Sequence, residues 1–321
     1  MILEKPIEEL KKYKGISPIP EDFDLFWDKK IEEVISLKDN LVMKKRNYPS
    51  NKVEMFDCTF TGSGNAEVYF KYLRPTNGKN NKIMLCFHGY SGNSGDWVND
   101  LHYVYEGYAI AKLDCRGQGG LSADNGNVKG NTLNGHIYRG AIHNDPNKLY
   151  FTSVFMDTLQ MAKIVGNMEE NNENYIVTTG VSQGGALSLV CASLLPSVKK
   201  CVTIYPFLSD YKAAWNNLPS NTAFSELKKY FRCFDPTHSK EDEFFHTLGY
   251  IDIKNLVKRV RADVFFATGY EDTVVSPTTQ YAAFNRIESN KKHIIFPDFG
   301  HEYLQGINDM TCEFFLGNSY C

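Results

Sequence analysis

The chain has 321 residues, 42% of them hydrophobic and 23% charged, with a formal net charge of −3 at pH 7. That length can bury a large core as one sizeable α/β domain or two ordinary ones, while the balanced charge excludes the basic footprint of a nucleic-acid binder or a cationic membrane patch. No apolar run is long enough to span a bilayer, and the opening Met1-Ile-Leu-Glu-Lys-Pro-Ile-Glu-Glu-Leu10 has no signal core, so neither a membrane nor a secreted address is expected.

In chain order, residues 1–40 read as a helical N-terminal extension. Pro20-Glu-Asp-Phe-Asp-Leu-Phe-Trp27 sets a proline and acidic residues at a helix start, ahead of apolar residues at helical spacing. A mixed polar link follows. Val53–Thr61 and Ala66–Leu73 then alternate around Gly62-Ser-Gly-Asn65, which predicts an antiparallel hairpin. From Ile83 the pattern changes to short, continuous apolar runs. Strands are predicted at Ile83–Phe87, Tyr108–Asp114, Tyr175–Thr179, Lys200–Ile204, Ala262–Ala267 and His293–Phe296. Helices are predicted at Trp97–Tyr105, Thr152–Met168, Ala186–Leu195, Thr278–Ile287 and Tyr303–Leu316. Buried strands alternating with helices imply a mostly parallel sheet covered on both faces, with functional loops at the carboxyl ends of the strands. Residues 121–150 read as loop, and 207–260 as a helical insertion between two core strands, all within a single domain spanning 1–321.

Of the eight cysteines, Cys86, Cys115, Cys191 and Cys201 fall in apolar segments expected in the core, and Cys321 is expected to be exposed. No C-x-x-C pair occurs, so the reading is of free thiols in a reducing cytoplasm, with no metal site and no cofactor.

The chemistry gathers at Gly180-Val181-Ser182-Gln183-Gly184, a G-x-S-x-G elbow between the predicted strand Tyr175–Thr179 and the helix that follows. The glycines permit a sharp turn that lifts the Ser182 hydroxyl above the sheet, beside the free Gln183 N–H at the helix start. A serine alcohol is a weak nucleophile and needs a base that is itself oriented by an acid. In chain order after the serine, Asp272 in Tyr270-Glu-Asp-Thr273 is the favoured acid, with Glu271 as its neighbour and competitor. His301 in Phe299-Gly-His301 is the favoured base. His88, beside the earlier strand, reads as structural. The oxyanion donors are expected to be the backbone N–H groups of Gln183 and Tyr90. The rings of Tyr90 and the Pro206-Phe207 pair follow strand ends flanking Ser182, so they are expected to close a small acyl pocket.

Arg116-Gly117-Gln118, Gly180-Val-Ser182-Gln183-Gly184 and His301-Glu302 together resemble the signature of carbohydrate esterase family 7, the acetyl xylan esterases and cephalosporin C deacetylases. Agreement extends through Phe87-His-Gly-Tyr90, Leu113-Asp-Cys-Arg-Gly-Gln-Gly-Gly120, Pro206-Phe207 with Asp210, and Tyr281-Ala-Ala-Phe-Asn285. The resemblance implies an α/β-hydrolase fold and hydrolysis of acetyl esters on short sugars or related alcohols such as cephalosporin C. It also implies a cytoplasmic homo-oligomer, a hexamer, and supporting roles for Arg116 and Gln118 in ordering the active-site loops. Two positions depart from the family pattern. Ser209 stands where a cysteine often precedes the aspartate, and Ser276-Pro277 stands where a Pro-Pro pair is usual. The rival readings are a serine peptidase of similar topology and a ligand receptor built on a hydrolase fold.

Overall fold

Nine strands join into one sheet in the computed structural model, which describes residues 5–130, 135–217 and 223–317. They are β1 (Val42–Lys45), β2 (Val53–Thr61), β3 (Glu67–Pro75), β4 (Asn81–Phe87), β5 (Tyr108–Leu113), β6 (Asn171–Val181), β7 (Val198–Ile204), β8 (Asp263–Gly269) and β9 (Lys291–Phe296). The spatial order is β1-β2-β3-β5-β4-β6-β7-β8-β9. The pairs β1–β2, β2–β3 and β3–β5 are antiparallel, and every pair from β5 to β9 is parallel. The 53–61 hairpin strand appears with the predicted bounds, and its register runs from Val53 opposite Pro75 to Thr61 opposite Glu67.

Helices cover both faces. On one side lie α2 (Phe23–Ser36), after the short α1 (Ile7–Leu10), together with α4 (Tyr150–Gly166) and α5 (Gln183–Leu194). On the other lie α3 (Leu101–Tyr105) and a C-terminal helix, Ile307–Leu316. Strand side chains divide between the two sides with period two: Ile83, Leu85 and Phe87 face the first, and Met84 the second. Because both sides are covered, the central strands read as unbroken apolar runs. The same crowding buries α4 nearly all round; only Ser153, Lys163 and Gly166 among its residues are not buried. Between β7 and β8 the chain forms α6 (Tyr211–Asn216), α7 (Glu226–Phe234), α8 (Glu241–Leu248) and α9 (Ile253–Leu256), the expected helical insertion. The last two helices are thus α10 (Pro277–Phe284) and α11 (Ile307–Leu316).

Several expectations change. The stretch read as a polar link contains β1, a fully exposed edge strand whose two lysines hide its pairing with β2. The helix expected from Trp97 begins only at Leu101, and the one expected from Tyr303 begins at Ile307, after Gly306 in a left-handed conformation (φ 85°). The described residues of the 121–150 stretch form loop and short 3-10 turns, Ala141–His143 and Pro146–Lys148, up to the start of α4, and lie partly inside the protein: Ile137, Tyr138 and Arg139 are buried. Cys115, Cys191 and Cys201 are buried free thiols as expected, whereas Cys86 on β4 is only half-buried. Cys321 lies outside the described residues.

Candidate active site

Ser182 sits between β6 and α5 with φ 57° and ψ −117°, a conformation that costs a non-glycine residue energy and survives only where its surroundings enforce it. Those surroundings are tight. A Cβ on Gly180 would lie 2.3 Å from the Gly184 backbone, and one on Gly184 would lie 2.0 Å from the Phe87 carbonyl oxygen. Both glycines are therefore needed for the helix start to press against β4. The Ser182 N–H donates to the Ile204 carbonyl (2.9 Å), and the Phe207 N–H donates to the Ser182 carbonyl (3.1 Å). Gln183 opens α5, so its N–H has no acceptor one helical turn back.

Three strand ends meet at this turn. The Ser182 hydroxyl lies 3.0 Å from His301 Nε2, on the loop after β9. His301 Nδ1 lies 2.7 Å from Asp272 Oδ2, on the loop after β8. The Asp272 carboxylate is shut away from solvent. Its Oδ1 accepts from the Val274 N–H (2.9 Å) and the Val275 N–H (2.8 Å), and its Oδ2 accepts from Gln280 Nε2 (3.2 Å). Glu271 next door is exposed, and its backbone N–H is spent on the Phe299 carbonyl. This is the arrangement in which a serine proton can pass to an imidazole that a buried carboxylate orients.

Ser182 and His301 open into a cavity of about 560 Å³ walled by Tyr90, Val181, Tyr205, Ala223 and Val274. Tyr90 stands on a turn closed by Gly92 N–H donating to the Gly89 carbonyl (3.0 Å). His88 anchors the start of this turn. Cys115 N–H donates to His88 Nε2 (2.9 Å), so the ring proton is on Nδ1, which faces the Gly89 carbonyl at 2.7 Å. Burial pushes the His88 ring below the usual histidine range, which keeps it neutral.

Pro206 and Phe207 do not line the cavity. Phe207 is fully buried behind Tyr90, edge-to-face at 5.7 Å between ring centroids, because the chain turns inward after β7. The wall expected of the Pro206-Phe207 pair is formed by Tyr205, Ala223 and Val274 instead. Tyr205 also braces the base: its ring lies 4.4 Å from the His301 ring, and its hydroxyl donates to the Glu302 carbonyl (2.9 Å). Sequence reasoning missed Tyr205, although it directly follows a predicted strand. It also missed Glu226, whose Oε2 accepts from the Tyr90 hydroxyl at 2.7 Å.

With this geometry in hand, comparison with known proteins is decisive. The acetyl xylan esterase (AXE1) family matches residues 1–318. The chain belongs to this family. The crystal structure of acetyl xylan esterase 1 from Thermoanaerobacterium sp. JW/SL YS485 superposes with a TM-score of 0.95 at 44% identity, covering 98% of this chain and 99% of that one. The acetyl xylan esterase from Paenibacillus sp. R4 superposes at 0.91 with 28% identity, covering 97% and 99%. Acetyl esterase Axe7A of Xylanibacter ruminicola is 25% identical over 288 residues, or 87% of this chain; the chain spans 62% of that relative's length. The family resemblance read from the motifs is thus shown, and with it the α/β-hydrolase fold.

In this acetyl xylan esterase family member, Arg116 and Gln118 brace the site from behind. Arg116 pairs bidentately with the buried Asp157 of α4 (2.7 and 2.6 Å) and donates to the Ser63 carbonyl (3.1 Å). Gln118 Oε1 accepts from the Ser91 N–H (2.8 Å), while its Nε2 donates to Gln183 Oε1 (2.8 Å) and the Tyr150 hydroxyl (3.0 Å). One side chain therefore touches both the Tyr90 turn and the residue after Ser182.

Proposed function

We propose that the protein is a serine esterase that removes acetyl groups from short acetylated sugars, xylo-oligosaccharides among them, through an acyl-enzyme. The observation that carries this reading is the Ser182–His301–Asp272 chain of contacts at 3.0 and 2.7 Å, opening into a cavity. The family and the names of its relatives support the acetyl group and the sugar. Ser182 Oγ attacks the acetyl carbonyl carbon as its proton passes to His301 Nε2. The Tyr90 and Gln183 N–H groups hold the oxyanion, and Asp272 stabilises the imidazolium. Collapse breaks the ester bond, and the departing sugar hydroxyl takes the proton from His301. Water then attacks the acetyl-serine with His301 again as base, releasing acetate and restoring Ser182. The side chains suffice for this sequence, and related alcohols such as cephalosporin C fall within it as tolerated substrates. The same reading makes the protein a cytoplasmic homo-oligomer, a hexamer by family likeness. The free state of the seven described cysteines supports the reducing compartment.

The test is turnover of p-nitrophenyl acetate and of acetylated xylo-oligosaccharides. The parent is expected to show multiple turnovers, and Ser182→Ala to lose about 10⁴-fold or more in kcat with its fold intact. A parent that binds acetylated sugars without hydrolysing any ester would move the protein to a binding role.

A further inference from the structure

Tyr90 is held at both ends. At its backbone, the Gly89–Gly92 turn is tied down by Ser91 N–H donating to Gln118 Oε1 (2.8 Å). At its far end, the hydroxyl donates to Glu226 Oε2 (2.7 Å) and accepts from the His136 N–H (3.1 Å). The ring is wedged between Phe207 (5.7 Å, 73°) and His136 (5.4 Å, 75°). Glu226 belongs to α7, in the insertion, and its other carboxyl oxygen accepts from the Ile137 N–H. The insertion together with the His136 loop, and not the sheet, therefore fixes the outer end of this ring.

We infer that Glu226 is a positioning residue that locks Tyr90 as a rigid wall of the acyl cavity and thereby sets the longest acyl chain accepted. This rests on the esterase reading. On this inference an acyl tail long enough to press on the ring takes the Tyr90 hydroxyl away from Glu226 and leaves the His136 N–H without its acceptor, whereas an acetyl methyl leaves both bonds in place. Both losses fall on enclosed polar groups, where an unmade hydrogen bond is costly. The same lock holds the Tyr90 N–H where the oxyanion forms, so loosening it also slows acetyl transfer.

The test compares kcat/KM for p-nitrophenyl acetate and p-nitrophenyl butyrate in the parent, Tyr90→Phe, Glu226→Gln and the double variant, with thermal midpoints as a check on folding. The parent is expected to favour acetate steeply. Each single variant should raise the butyrate-to-acetate ratio roughly tenfold. The double variant should go no further, because both changes break one link. Equal loss on both esters with the ratio unchanged, or effects that multiply in the double variant, would overturn the inference. If Glu226→Gln does not fold, Tyr90→Phe decides alone, since it removes a single oxygen. A parent inactive on both esters overturns the esterase reading as well; an active parent whose variants keep its ratio overturns only this inference.

Discussion

Glu271 and Asp272 are adjacent carboxylates with opposite surroundings, and the contrast makes the choice of acid testable. Asp272 is enclosed, takes three hydrogen bonds besides that to His301 and cannot swing away, whereas Glu271 is exposed. Asp272→Asn presents an amide to His301 Nδ1 and favours the wrong imidazole tautomer, so kcat should fall by about 10³–10⁴. Glu271→Gln should stay within about threefold of the parent, as expected for a surface group. Steady-state kinetics that reversed this ranking would move the acid to Glu271. Glu226 makes a second prediction. Loss of hydration pushes its carboxyl up to about 7 from an ordinary 4.5, against the pull of the Tyr90 hydroxyl, the Ile137 N–H and the Arg139 guanidinium. Tyr211 also faces it, and His136 beside Tyr90 is held neutral, its ring pushed down to about 4. A raised carboxyl means that the folded chain keeps a proton the unfolded chain has released. This contribution to stability is fully present below about pH 4.5 and is lost as pH rises through 7, on the order of 3 kcal/mol in all. Glu226→Gln cannot titrate. The stability of the parent relative to this variant should therefore fall by that order between pH 4.5 and 8 in urea denaturation, and parallel pH curves would contradict it.

The element on which the site most depends is the loop after β7. Tyr205 (φ 32°), Leu208 (φ 62°) and Asp210 (φ 51°) all adopt left-handed backbone conformations within six residues. Each costs about 1–3 kcal/mol and persists only because the surroundings hold it. Tyr205 is held by its N–H donating to the Ala267 carbonyl (2.7 Å), the Leu208 carbonyl accepts from the Ile253 N–H (3.0 Å), and Asp210 is held by the N-terminal segment. The fully buried Asp210 carboxylate accepts from the Tyr13 hydroxyl (2.7 Å), the Ile16 N–H (3.0 Å), the Ser17 N–H (2.8 Å) and the Ser17 hydroxyl (2.9 Å). Lys254 lies close by, donating to the Ser17 carbonyl (2.9 Å). Residues 13–17 thus pin the loop that carries Tyr205 to the base and Phe207 to the back of Tyr90. Asp210→Ala leaves four donors around a vanished acceptor and is expected to cost about 3–5 kcal/mol in urea denaturation. A loss below about 1 kcal/mol would show that the segment is only draped over the domain.

At the scale of the whole molecule, the parallel order from β5 to β9 brings the loops after β4, β6, β7, β8 and β9 to one edge of the sheet. Residues more than a hundred positions apart, such as Ser182 and His301, then come within hydrogen-bond reach. The surface bears on assembly. Ile16, Ile19, Leu25 and Ile35 of the N-terminal segment are 53%, 45%, 55% and 65% exposed, an apolar surplus in keeping with the homo-oligomer proposed above. Light scattering at micromolar concentration should give a mass about six times that of the 36.5 kDa chain. A monomer would refute the assembly without touching the chemistry.

What the sequence determined by itself is what short-range chemistry dictates. Gly180 and Gly184 around Ser182 announce a turn because no other residue fits there, and the apolar runs of β4 to β8 announce a doubly covered sheet because neither face meets water. Asp272 and His301 were legible as residues following strand ends in the order this fold uses. Tertiary structure alone decided the rest. Phe207 reads as a pocket residue until the turn after β7 carries it behind Tyr90. β1 hides in a charged stretch because an exposed edge strand needs no apolar face. Glu226 looks like any exposed glutamate at a helix start; nothing within its own segment marks it. Its importance comes from packing the insertion against the Tyr90 turn, where a carboxyl far along the chain meets the Tyr90 hydroxyl. Contacts between distant segments carry no local periodicity, so only the folded chain displays them.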